Sequence, residues 1–128
     1  MVGEVFSAND RIRRQADFDH VYRDGVSTAD AVLVVIACPN GLEQSRLGVV
    51  VSRKVGNAVV RNRWKRRMRE AFRRQLDRIP AGWDLVVRPR RGALLSGPAI
   101  RKSLPVLIAD AVRKHQQRAA HSRQAGKA

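Results

Sequence analysis

Between Arg46 and Arg74 the chain carries eleven basic side chains and one acid, Glu70. At about 100° per residue, Asn62, Lys65, Arg66, Arg69 and Arg73 fall on one side of a helix. Trp64, Met68 and Ala71 fall roughly opposite, with Phe72 flanking them. Arg63, Arg67, Arg74 and Glu70 take a third flank. Such a helix has one stripe for its own core and another for something anionic. A face that meets only solvent normally mixes both signs, because like charges four residues apart cost about a few tenths of a kcal/mol. Lys65–Arg69 and Arg69–Arg73 are pairs of that kind, and a bound phosphate chain would relieve them. Just upstream, Ser52-Arg53-Lys54-Val55-Gly56-Asn57 puts a glycine before the helix N-terminus. Backbone N–H groups and the helix dipole favour phosphate at such a place. One glycine weighs little alone; beside Arg61-Asn62-Arg63 it weighs more.

Other candidate residues are sparser. Phe18 and Tyr22 stand one helical turn apart. They could stack on unpaired bases, or pack against a sheet; the spacing admits both. His20, His115 and His121 are scattered and read as surface histidines. Cys38 is the single cysteine, so neither a disulfide framework nor a multi-cysteine zinc site is available. It reads as a buried strand-end residue. No two acids near the basic helix form a convincing pair of metal ligands. The pattern offers anion binding and no bond-breaking chemistry of its own.

The whole chain agrees. It has 128 residues, 26 Lys+Arg against 11 Asp+Glu, and net charge +15. Such a field selects polyanions, nucleic acid first and anionic membrane second. Residues 1–45 hold four basic side chains and seven acids, so the cationic surface belongs to the later part of the chain. Arginine outnumbers lysine 21 to 5, which suits phosphate forks and base stacking, or reflects a compositional bias of the source genome. No apolar run of about 18 residues exists to span a bilayer. The segment MVGEVFSAND lacks a basic region followed by an apolar one, so a cytoplasmic location is expected. Helix-turn-helix, zinc-knuckle and basic-zipper spacings are absent, and 5% aromatic residues leave no broad stacking platform.

The elements that must position these residues follow from periodicity. Residues 9–24 read as a short helix closed by Gly25 as C-cap. Ala31 to Ala37 is a continuous apolar strand, ended by Pro39-Asn40-Gly41. Arg46 to Ser52 is a second strand, and the short connection predicts an antiparallel neighbour. The main helix spans 57–79 and stops at Pro80-Ala81-Gly82. Trp83 to Arg88 is a third strand, parallel to the second across a βαβ unit. Gly97-Pro98 opens a last helix whose apolar face is Ile100, Leu104, Leu107, Ile108, Ala111 and Val112. Pro105 should kink or split it. Residues 1–115 form one domain. From Gln116 nothing apolar is periodic, which predicts a disordered basic tail over 116–128.

The run from Arg46 to Arg73, RLGVVVSRKVGNAVVRNRWKRRMREAFR, resembles the protein subunit of bacterial ribonuclease P. The likeness is most specific from Ser52 to Phe72. A looser likeness covers Arg13 to Gly25 and Asp84 to Pro89, so the resemblance spans roughly 9–115. It implies an α/β fold, an α+β two-layer sandwich with a mixed central sheet. The arginine-rich helix would lie in a left-handed βαβ crossover, a ribosomal-protein-S5-like arrangement; the usual handedness rule predicts the opposite hand. It implies a large catalytic RNA as partner and the 5′ leader of precursor tRNA as ligand, with no membrane and no obligate protein partner. The RNA would hydrolyse the phosphodiester with Mg2+ that it mainly holds itself, the protein binding no cofactor. By position, Arg61, Asn62, Arg63, Lys65, Arg66, Arg69 and Arg73 would face the catalytic RNA. Phe18 and Tyr22 would line a leader cleft between the first helix and the sheet, with Arg53 and Lys54 beside it. Family members often place an aromatic on the first strand facing the leader; here Ile36 occupies about that place. Two other classes fit the same charge. One is a ribosome-associated RNA-binding protein, the other an autonomous nuclease, which the lack of acid pairs argues against.

Overall fold

The computed structural model describes residues 11–126. Four strands form one sheet: β1 (Val26–Ala29), β2 (Leu33–Pro39), β3 (Arg46–Val49) and β4 (Trp83–Pro89). Three helices accompany them: α1 (Gln15–Asp24), α2 (Ala58–Arg74) and α3 (Gly97–Gly126). Single 3-10 turns sit at Arg53–Val55 and Leu76–Arg78. The strand order is β1-β2-β4-β3. β2 is antiparallel to β1 and β4, while β3 and β4 run parallel across α2.

β2 and β3 are therefore not the antiparallel neighbours that their short connection suggests; β4 lies between them. The reason is burial. β2 and β4 are each buried over most of their length, so both need neighbours on either side. β3 is short and begins with a charged residue, which suits an edge. β1 escaped the sequence pattern because Val-Ser-Thr-Ala has no apolar alternation, and only Thr28 is buried. It is folded back by the turn at Asp30, whose carboxylate accepts from the backbone N–H groups of Val32 (2.8 Å) and Leu33 (2.9 Å). That turn also starts β2 at Leu33 rather than Ala31.

Side chains alternate across the sheet. Leu33, Val35, Ala37, Leu47, Leu85 and Val87 face α2 and α3 and join Trp64, Met68, Phe72, Ile100, Leu104 and Ile108 in the main core. Ile36, Cys38 and Val86 face the other way, where Ile12 and Val21 cover them. α1 lies over part of this second face. Gly25 does close α1, but with φ of −82° it is not in the left-handed region. Space demands the glycine: a Cβ there would collide with the Val21 carbonyl oxygen and sit 2.8 Å from Ile36 Cγ2.

α2 starts as expected, with the Asn57 side chain accepting from Val60 N–H at 3.0 Å. It ends at Arg74, before the expected 79, and the chain tightens into a 3-10 turn. Pro105 does not split α3. A proline frees the carbonyl four residues earlier, here that of Arg101. Gln75 Nε2 donates to that carbonyl at 3.1 Å, and to the Ala71 carbonyl at the end of α2 at 3.1 Å. One amide thus closes α2 and satisfies the gap in α3. The expected disordered tail is also corrected: α3 continues through 116 to Gly126. Gln, Arg and Ala are strong helix formers, and extending a helix already nucleated by packing needs no apolar face of its own. Residues 127–128 lie outside the described residues.

Candidate nucleic-acid interface

The outer face of α2 forms an open depression of about 520 Å³. Asn62, Lys65, Arg66, Arg69 and Arg73 line it, as the helical spacing predicts, together with Glu70 and Arg11. Among the described residues no ion pair involves Lys65, Arg66, Arg69 or Arg73, and Glu70 is paired with Arg67 at 3.3 Å. Burial first and the nearby Arg11 second pull the pKa of Arg69 below the ordinary guanidinium value. Arginine keeps its proton in proteins, so that direction describes a charge held where it is costly. An anion in the depression would remove the cost. Arg61 and Arg63 do not line it. Arg63 is exposed on the adjoining flank, and Arg61 is half-buried with its Nε lacking a hydrogen-bond partner.

Arg11 was missed because the first third of the sequence is net acidic. It reaches the depression through a single parallel bridge to Leu47, which lays the incoming chain along the free edge of β3. No local pattern announces a one-residue bridge.

A second surface lies beside α1. The strand register sets side chains in rows across the second face. One row reads Gly48, Val86, Ile36, Ser27. The next, one pleat along, reads Val50, Arg88, Val34, Ala29, because Val50 N–H continues the β3–β4 ladder to the Val87 carbonyl at 3.0 Å. α1 crosses the first row. Phe18 lies over Gly48, where a Cβ would come within 2.6 Å of its ring, and Val21 turns into the sheet. Asp17 leans towards Arg46 on the far side, at 3.6 Å. Phe18 and Tyr22 are about 100° and 140° further round the helix, so they lean towards the second row.

The result is a groove, with Phe18 and Tyr22 on one wall and the second row as its floor, in which Arg88 and Ala29 are exposed, Val50 is half-buried and Val34 is buried. Phe18 is half-buried and shares both readings of its spacing: it seals the small core and shows an edge to the groove. Tyr22 is 45% exposed. Ile36 is 8% exposed, packed beneath α1 rather than open to the groove. Arg53 and Lys54 are exposed on the turn that follows Val50 and Val51.

α1 is pinned in place by charge. Arg46 donates to the Asp84 carboxylate through Nε at 2.8 Å and Nη2 at 2.6 Å. Asn40 Nδ2 adds a bond to Asp84 at 3.0 Å. The bidentate partner holds the Arg46 pKa above its ordinary value. Cys38 is buried, and burial first, then Asp24 and Asp84, push its thiol pKa up, which disfavours the reactive thiolate. Among the described residues no three His, Cys, Asp or Glu side chains are grouped to hold a metal ion, and no helix is long and apolar enough to cross a membrane.

Comparison with known proteins decides between the classes left open by charge. The ribonuclease P family model matches residues 6–121. The chain belongs to the ribonuclease P protein family. The ribonuclease P protein component of Thermotoga maritima is 46% identical over 88 residues, 69% of this chain and 75% of its own length. That of Clostridium botulinum strain 657 is 44% identical over 84 residues, 65% of this chain and 76% of its own. Among solved structures, the Staphylococcus aureus RNase P protein superposes with a TM-score of 0.72 at 38% identity, covering 80% of this chain and 94% of that one. The Thermotoga maritima RNase P protein gives 0.72 at 39%, covering 77% and 94%. The matched segment of the ribonuclease P family includes both the α2 depression and the groove beside α1.

Proposed function

We propose that this chain is the protein component of a ribonuclease P ribonucleoprotein, the endoribonuclease that matures tRNA 5′ ends. The α2 depression docks on the catalytic RNA, and the groove beside α1 holds the single-stranded 5′ leader of precursor tRNA. The observation that carries this is the cationic depression on α2, where Lys65, Arg66, Arg69 and Arg73 form no ion pair among the described residues, in a member of that family. Phosphates seated there release counterions and offset the mutual repulsion of Lys65, Arg66, Arg69 and Arg73. The groove suits unpaired nucleotides, since it sets aromatic edges beside an apolar floor with few cations. Magnesium would be held mainly by the RNA, where it would supply activated water for the hydrolysis. The residues of this chain bind and orient; they take no proton and form no bond to substrate. The setting is the cytoplasm, where precursor tRNA is processed.

Reconstitution tests it. Purified protein is mixed with a bacterial ribonuclease P RNA and precursor tRNA at low magnesium. The expected result is faster 5′ cleavage than by RNA alone; no gain would overturn the proposal.

A further inference from the structure

We infer that Arg88 is a leader contact, its guanidinium stacking on a nucleotide base from the sheet side of the groove. This rests on the groove being the leader site. β4 is buried from Trp83 to Val87, and Arg88 is the first of its residues to be exposed. Its register partner Val34 places it on the α1 face, in the row Val50, Arg88, Val34, Ala29, where Val34 is buried and Arg88 and Ala29 are exposed. Among the described residues no hydrogen bond or ion pair occupies the Arg88 side chain.

The composition of the floor then decides what that side chain can do. The two rows hold Gly48, Val86, Ile36 and Ser27, then Val50, Arg88, Val34 and Ala29. Only Arg88 carries a planar group. Phe18 and Tyr22 supply rings from the helical wall. A base entering the groove therefore meets π-faces from α1 on one side and a single flat guanidinium on the other. Arginine stacks on base planes as an ammonium does not. Ile36, in the row beneath α1, is buried and aliphatic, so it cannot do this.

The test uses the reconstituted holoenzyme, with binding of precursor tRNA compared against mature tRNA for R88A, R88K and Y22A. A precursor whose leader is abasic serves as a further substrate. R88A should weaken precursor binding about fivefold to tenfold, in line with the low end of base stacking, and leave mature tRNA unchanged. R88K should be as weak as R88A, and the R88A defect should vanish on the abasic leader. Wild-type binding by R88K, or a defect that persists on the abasic leader, would make Arg88 a phosphate contact and overturn the inference. Loss of leader discrimination in Y22A with none in R88A would also overturn it while leaving the groove as the leader site. If neither variant discriminates, the groove assignment itself fails.

Discussion

The depression on α2 and the groove beside α1 bind by opposite means. The depression gathers four cations and a fifth from Arg11 around one acid that is already paired, so its attraction is electrostatic and sequence-blind. The groove is an apolar floor with two rings and few charges, so its attraction is stacking and depends on unpaired bases. The difference teaches how a small protein can separate docking from substrate sensing. Salt should loosen the first far more than the second.

The largest expected effect tests that division directly. R66A combined with R69A should weaken docking on the catalytic RNA on the order of 100-fold, if each charge-assisted contact contributes about 1.5 kcal/mol. About six phosphate contacts at ~0.7 each give a log–log salt slope near −4 for single-stranded RNA, and the double variant should flatten it by roughly 1.4. An unchanged slope in a filter-binding titration would remove the RNA from this face. D84A comes next. It strands Arg46, whose side chain is only 20% exposed, and should cost about 2–3 kcal/mol in urea unfolding, discounted from a fully buried pair. Because Arg46 also holds Asp17 on α1, leader discrimination should fall further than RNA docking. Equal losses would show that the pin serves the whole fold and not the groove.

F18A should lower affinity for precursor tRNA by roughly 1–2 kcal/mol while sparing mature tRNA, within the range for one base–aromatic stack. Equal loss on both substrates would return Phe18 to a purely packing role. Q75A is smaller and falls on the other region. It leaves the Arg101 carbonyl beside Pro105 without its donor and uncaps Ala71, which should cost about 1 kcal/mol in chemical denaturation. RNA docking should weaken with it and leader discrimination should not.

The two regions also differ in how far they could be read from the chain. The depression is the product of one helix, and a single period of 3.6 places Asn62, Lys65, Arg66, Arg69 and Arg73 together. Arg11 was invisible because a lone bridge to Leu47 carries it there. The groove needs register across four strands. The connection from β2 to β3 suggested adjacency, whereas burial on both faces drew β4 between them. With that order wrong, Val50, Arg88, Val34 and Ala29 could not be seen as one row. β1 was illegible for a related reason: its pairing with β2 supplies what its own side chains lack. The end of α3 is illegible in apolar periodicity because its extension to Gly126 rests on helix propensity.

The smallest effect concerns the edge of the groove. Burial pushes the Asp30 carboxyl up, but the backbone N–H of Leu33, the Ser103 hydroxyl and the N–H of Val32 outweigh it, and the pKa lies below the ordinary 3.8. A carboxylate favoured in the folded state contributes stability above its unfolded pKa and loses it as pH falls through the folded value. The turn that holds β1 against β2, and with it Ala29 beside Val34, should therefore loosen only below the ordinary carboxylate range. D30N retains an acceptor oxygen without the charge. It should be slightly less stable than wild type at pH 7, with the gap closing as both are titrated below pH 3.8. A gap that stays constant on acidification would mean that Asp30 acts through hydrogen-bond geometry alone. Docking on the α2 depression, on the far side of the sheet from this turn's row, should not respond to the substitution at either pH.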